Sequence, residues 1–153
     1  MKKCVLCIMA ILLLASCGDD ETNNGNDGAN AGLVGTWMAD LSEDGVTYFE
    51  EMTLKSDGTF QVISRINWSD SREIEENGYT SGVIIIAGKY RASDNSLMMN
   101  VLTQRYNVDD SGWEEESFHE GDYTLSYKYV VDRNRLTLIS EDGGSGVYTR
   151  KRN

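Results

Sequence analysis

"TFQVISRINW", residues 59–68, sets Phe60, Val62, Ile66 and Trp68 at alternate positions, with Gln61, Arg65 and Asn67 among the residues between them. A period of two is the mark of a β-strand with one face in a core and the other in water. Working outward from this segment, the chain repeats the same unit: a short β-rich run, then a turn built of Gly, Asp, Asn or Ser, with no proline anywhere. Tyr123, Leu125, Tyr127, Tyr129 and Val131 share a face in the same way. Eight strands are predicted, over 33–41, 46–54, 59–68, 83–91, 96–106, 118–131, 135–140 and 147–151. No segment combines a helical period with caps. Consecutive strands joined by tight turns predict an all-β fold, an eight-stranded up-and-down antiparallel barrel, since closure leaves no free edge.

The connections fall into two classes. Short links, "KSDG", "ASDN" and "DRN", follow the second, fourth and sixth strands. The links after the others are "SEDG", "SDSREIEENGYTSG", "NVDDSGWEEES" and "EDGGSG". Alternate links of an up-and-down barrel lie at one end, so one end is predicted to be closed by tight turns and the other to carry the long loops. Charge divides the same way. The long loops hold thirteen acids and a single base, Arg72. Lys55, Arg91, Arg133, Arg135, Arg150, Lys151 and Arg152 gather toward the tight-turn end. An acidic mouth favours cationic partners and repels anionic ligands; the alternative is that the acidic loops serve solubility alone.

The stretch "LVGTWMAD", residues 33–40, resembles the G-x-W opening of lipocalins, with Gly35 and Trp37 in the matching places. "MTLKSDGTFQV", "AGKYRASDNSLMM" and "RLTLIS…VYTRKR" resemble the small lipocalin-like domains of Bacteroidetes-type lipoproteins. The resemblance covers nearly all of 33–153. It implies that Trp37 sits at the closed end and packs against a basic residue of the last strand, here Arg150. The helix and the disulfide of classical lipocalins have no counterpart in these residues, which counts against a wide, ligand-filled interior.

The first residues, "MKKCVLCIMAILLLAS", place two lysines before a stretch without charge from Cys4 to Ala15. That stretch is short of the ~20 residues of a bilayer span and suits the apolar region of a secretory signal. Leu14-Ala15-Ser16-Cys17 resembles the lipobox of bacterial lipoprotein signals. The resemblance implies removal of residues 1–16 and lipidation of Cys17, which leaves no other thiol for a disulfide, zinc or catalysis. Residues 17–32, "CGDDETNNGNDGANAG", hold no large apolar side chain after the cysteine and read as a flexible acidic linker. The expected location is the bacterial outer membrane, with contact to the membrane through the lipid alone. Asp19-Asp20-Glu21 resembles the acidic signal for display on the cell surface; plain linker acidity is the alternative.

Twenty-five acids against fourteen bases, a formal charge of −11, argue against nucleic acid as a partner. The chain has one histidine, His119, so neither a triad nor a zinc site with two or more His or Cys ligands is expected. Carboxylates are plentiful but show no spacing that selects a glycosidase pair. The glycines of "EDGGSGVYT" precede a strand and not a helix, unlike a phosphate loop. No catalysis, metal or cofactor is expected. Two readings remain. One is a carrier or sensor holding a small, largely apolar ligand in the barrel mouth, lined by Tyr48, Met52, Phe60, Tyr90, Met99, Tyr127 and Tyr129, all in phase with Trp37. The other is a self-filled barrel that meets a protein or glycan through its loops. Trp68, Tyr79 and Trp113 lie at or near the loop end and suit either reading.

Overall fold

A computed structural model describes residues 32–42, 45–68, 78 and 80–152. The signal segment 1–16, Cys17, all of the linker but Gly32, and Tyr79 lie outside the described residues. The described chain is all β: β1 (Gly35–Asp40), β2 (Val46–Leu54), β3 (Thr59–Trp68), β4 (Ser81–Ser93), β5 (Ser96–Val108), β6 (Glu114–Ser117), β7 (Thr124–Asp132), β8 (Arg135–Ser140) and β9 (Ser145–Arg150). The strands run in the order β4-β3-β2-β1-β9-β8-β7-β5-β6, and a further β4–β5 pairing closes the ring. Every ladder is antiparallel. Eight strands thus form the expected up-and-down barrel, and β6 is an extra strand paired to the upper part of β5 beyond β7.

Local chemistry sets the tight-turn end. Asp57 Oδ1 accepts hydrogen bonds from the Thr59 amide at 2.9 Å and the Thr59 hydroxyl at 2.6 Å, which folds β2 back onto β3. Asp94 and Arg133 take left-handed φ values of 47° and 54° in the two-residue links to β5 and β8.

The strand predicted over 118–131 begins only at Thr124, as β7, and a separate short strand, β6, forms within the loop predicted over 107–117. Ser117 pairs with Thr103 and Thr124 with Asn100, so six residues, 118–123, stand opposite only Val101 and Leu102. The ladder brackets this excursion: the Phe118 amide donates to Leu102 O and the Val101 amide donates to Tyr123 O, both at 2.9 Å. Within it the His119 amide donates to Asp122 Oδ2 at 3.1 Å, Gly121 takes φ 98°, and the Phe118 and Tyr123 rings meet at 5.6 Å. Alternation across "SFHEGDY" cannot reveal a segment looped out and closed on itself.

The closed end carries the contact that the resemblance implied. The Trp37 ring is fully buried, its Nε1 donates to Leu33 O at 2.8 Å, and the Arg150 guanidinium lies 4.1 Å from the ring centroid. Arg150 Nη1 donates to Val34 O at 2.8 Å, and Nη2 donates to Gly32 O. Gly35 lies beneath this guanidinium at φ 145°, where a Cβ would stand 2.4 Å from Nη1. Only glycine fits there.

At the other end Asp109 fastens the start of β4. Its carboxylate accepts from the Thr80 amide at 2.9 Å, the Thr80 hydroxyl at 2.7 Å and the Ser81 amide at 2.8 Å. The Thr80 hydroxyl above all, then the amides of Thr80 and Ser81, hold the Asp109 carboxyl below the usual carboxylate range. A carboxyl depressed in the folded state stabilises it fully above the unfolded pKa of ~3.9, and that contribution disappears as pH falls through the lowered folded value. Hydrogen exchange should therefore show the Thr80 and Ser81 amides losing protection only below about pH 4. In Asp109→Asn the protection should be reduced already at pH 7 and should no longer follow that titration. Equal protection in the two proteins at pH 7 would remove Asp109 from this role.

Candidate functional site

The inward row of β2 runs from Val46 through Tyr48, Glu50 and Met52 to Leu54, and beside its upper part Ile66 and Trp68 of β3 are buried. Met52, Leu54, Leu97, Met99, Val101, Leu136 and Trp37 are all less than 2% exposed. Together with Phe60 and Tyr129 they fill the half next to the tight turns. Tyr90 seals the same region, its hydroxyl donating to Lys55 O at 2.8 Å. Five of the residues expected to line a ligand, Met52, Phe60, Tyr90, Met99 and Tyr129, therefore face inward but form a packed floor. The physical reason is depth. Alternation assigns a face, while position along the barrel axis follows from strand stagger.

The other two, Tyr48 and Tyr127, lie above this floor and are half-buried, as is Glu50. They belong to a cluster. Glu50 Oε1 accepts a hydrogen bond from the Tyr148 hydroxyl at 2.6 Å, and Oε2 accepts from the Tyr48 hydroxyl at 2.8 Å and from Ser64 Oγ at 3.4 Å. Tyr48 and Ser64 are also 3.2 Å apart. Ser64 and Tyr148 are buried, and Ala39 stands beside Glu50 on β1 with a side chain too small to cover it. Burial first, and the Glu50 charge second, push the Tyr48, Tyr127 and Tyr148 phenols well above their ordinary value. All three remain protonated donors across the physiological range. Glu50, Ser64 and Tyr148 are functional candidates that sequence reasoning missed. Glu50 had a legible signal, since in "YFEEM" it alternates with Tyr48 and Met52 and so must face inward.

Among the described residues no base lies within ion-pair distance of Glu50. The ion pairs among them are Lys151–Glu51 at 2.8 Å, Lys89–Glu120 at 3.1 Å and Arg105–Glu115 at 3.3 Å. Arg150, the nearest inward base by register, is committed to Trp37 and to backbone carbonyls at the closed end.

The rim aromatics do not come together. Trp68 is buried at the top of β3, with its ring 3.7 Å from where a Gly82 Cβ would lie. Trp113 is 47% exposed and lies on the outer side, 5.0 Å from the Arg105 guanidinium. Glu115 joins Arg105 on that outer side, whereas Glu114 and Glu116 pair with Tyr106 and Gln104 and share their face of the ladder. The Tyr106 hydroxyl donates to Glu114 Oε2 at 2.6 Å. The acidic triplet 114–116 is thus split between two surfaces.

His119 is exposed in the looped-out segment. No group of three or more His, Cys, Asp or Glu side chains among the described residues is placed to hold a metal ion. Two depressions lie on the outer wall, one of about 210 Å³ between β3, β4 and β5 near Asp109 and one of about 400 Å³ beside Gly88 and Leu102. No protein-family model matches this chain, and no curated protein matches it in sequence.

Proposed function

We propose that this protein is a non-catalytic binding protein, held at the bacterial outer membrane by lipid on Cys17, that takes a small ligand into the upper half of its barrel. One observation carries the reading: Tyr48, Glu50 and Tyr127 are partly open to solvent above a floor of fully buried side chains. Because that floor is sealed, a ligand enters from the loop end. The Tyr48 and Tyr127 rings offer flat apolar contact with polar tips, the usual make-up of a small-molecule site. The ligand thus has an apolar body, as the sequence suggested, and a polar end that meets the cluster.

A second reading rests on Trp113, a large aromatic exposed on the outer side beside Arg105. Such a pair suits contact with a protein or a glycan face. Native mass spectrometry of protein extracted in detergent from its source membrane tests both the anchor and the ligand. The expected spectrum shows a chain beginning at an acylated Cys17 and carrying a small-molecule adduct. A chain free of adduct would favour the surface-interaction reading, and an unacylated chain would remove the anchor.

A further inference from the structure

We infer that the group recognised inside the barrel is a protonated amine, seated against Glu50. The inference rests on the binding-protein reading and names the class of ligand.

A carboxylate taken into a barrel loses hydration, which costs several kcal/mol unless donors or a counter-charge replace it. Glu50 is half-buried, and protein donors replace part of the hydration it loses. A carboxylate can accept about four hydrogen bonds. Oε2 has two neighbouring donors, Tyr48 and Ser64, while Oε1 has one, Tyr148. One acceptor position on Oε1 remains, and no base among the described residues is close enough to fill it.

The surroundings select for positive charge. Tyr48 and Tyr148 each spend their single proton on the carboxylate, so what they still present is lone pairs and, at the half-buried Tyr48, a ring face. Both attract a cation. Glu114 and Glu116, exposed on β6 and in register with Tyr106 and Gln104, extend the same sign to the rim and would draw a cation in from solution. An anion is repelled at each stage. A neutral apolar ligand would cover Glu50 without pairing it, leaving the desolvation uncompensated.

The geometry also distinguishes among cations. A guanidinium binds a carboxylate best through two parallel hydrogen bonds to both oxygens, and Oε2 is already occupied. A divalent metal needs several oxygen ligands and this interior offers one carboxylate among protonated phenols. A compact ammonium, able to donate one bond to Oε1 and rest against the tyrosine rings, fits what is open.

Three probes that share a phenethyl group and differ in the charge of the end group test this on the whole protein: 2-phenylethylamine, 2-phenylethanol and 3-phenylpropionate, titrated at pH 7 by calorimetry. We expect the amine to bind more tightly than the alcohol, the carboxylate to bind most weakly, and amine affinity to fall on raising sodium chloride from 50 to 500 mM. Glu50→Gln should cut amine affinity about thirtyfold, as loss of one partner of a buried charge pair does, and bring amine and alcohol level. Circular dichroism checks that the variant folds, and the wild-type ranking and salt response need no variant. Equal wild-type affinity for amine and alcohol would overturn the amine assignment and leave the binding-protein reading standing, as would an amine affinity indifferent to Glu50→Gln. Binding of none of the three, together with adduct-free protein from the native source, would overturn both.

Discussion

Replacing Trp37 with alanine will lower the free energy of unfolding by about 3–5 kcal/mol, at the top of the range for large-to-small changes in a core. The side chain is 0% exposed and stands at the closed end, in a core where Leu33, Met52 and Leu54 are also fully buried. Three terms add. The indole takes its apolar area out of the core, the Leu33 carbonyl loses the Nε1–H that it accepts at 2.8 Å, and Arg150 loses the ring it covers at 4.1 Å. Urea denaturation measures the change in midpoint at constant slope. Trp37→Phe separates the terms: it keeps most of the apolar area and loses the hydrogen bond, so it should cost about 1–2 kcal/mol. A loss below 1 kcal/mol in Trp37→Ala would mean that this tryptophan does not hold the closed end.

The strands around Trp37 were the most legible part of the chain, because their information is local. β2 and β3 have the bounds predicted from alternation and from the "KSDG" turn. β4 and β5 run longer than expected, to Ser81–Ser93 and Ser96–Val108, because each is carried by pairing with the other where its own sequence is weakly β-forming. The looped-out residues 118–123 are invisible to periodicity for a related reason. Both flanks alternate correctly, and only the partner strand reveals that they are out of step by more than one residue.

The site was legible in one dimension and not in the other. Tyr48, Met52, Tyr127 and Tyr129 all face inward as alternation requires, yet Tyr48 and Tyr127 stand above the packed floor and Met52 and Tyr129 within it. What separates them is the stagger of β2 against β7, which lie on different sides of the ring and share no hydrogen bond. Glu50 shows the cost of treating an acid in a strand as solvent-facing. Its neighbour Glu51 does face outward, paired with Lys151, and a single step in the sequence exchanges the two environments.

The second large effect is expected at Gly88, where alanine should cost about 3 kcal/mol or more, the upper end of overpacking. The β4–β5 ladder passes from Ala87 opposite Thr103 to Gly88 opposite Val101, so Leu102 is an extra residue on β5. This bulge brings the backbone of β5 onto Gly88. A Cβ there would lie 2.0 Å from Asn100 O and 3.0 Å from Leu102 N, and backbone atoms cannot turn aside as a side chain can. Relief requires the bulge to move or be lost, and the bulge sets which side chains face inward. Before it Leu97, Met99 and Val101 point into the core; after it Gln104 and Tyr106 do, and Tyr106 holds Glu114 at the rim. Removing the extra residue's offset would turn one of these sets outward. Gly82→Ala is the matched control on the same strand, since its Cβ would meet the Trp68 ring at 3.7 Å, an ordinary contact, and should change stability by less than about 1 kcal/mol. Chemical denaturation of the two variants side by side decides the matter. Equal losses would show that β4 tolerates a side chain at the bulge, and that the inward phase of β5 is fixed by its own apolar pattern and not by the close approach at Gly88.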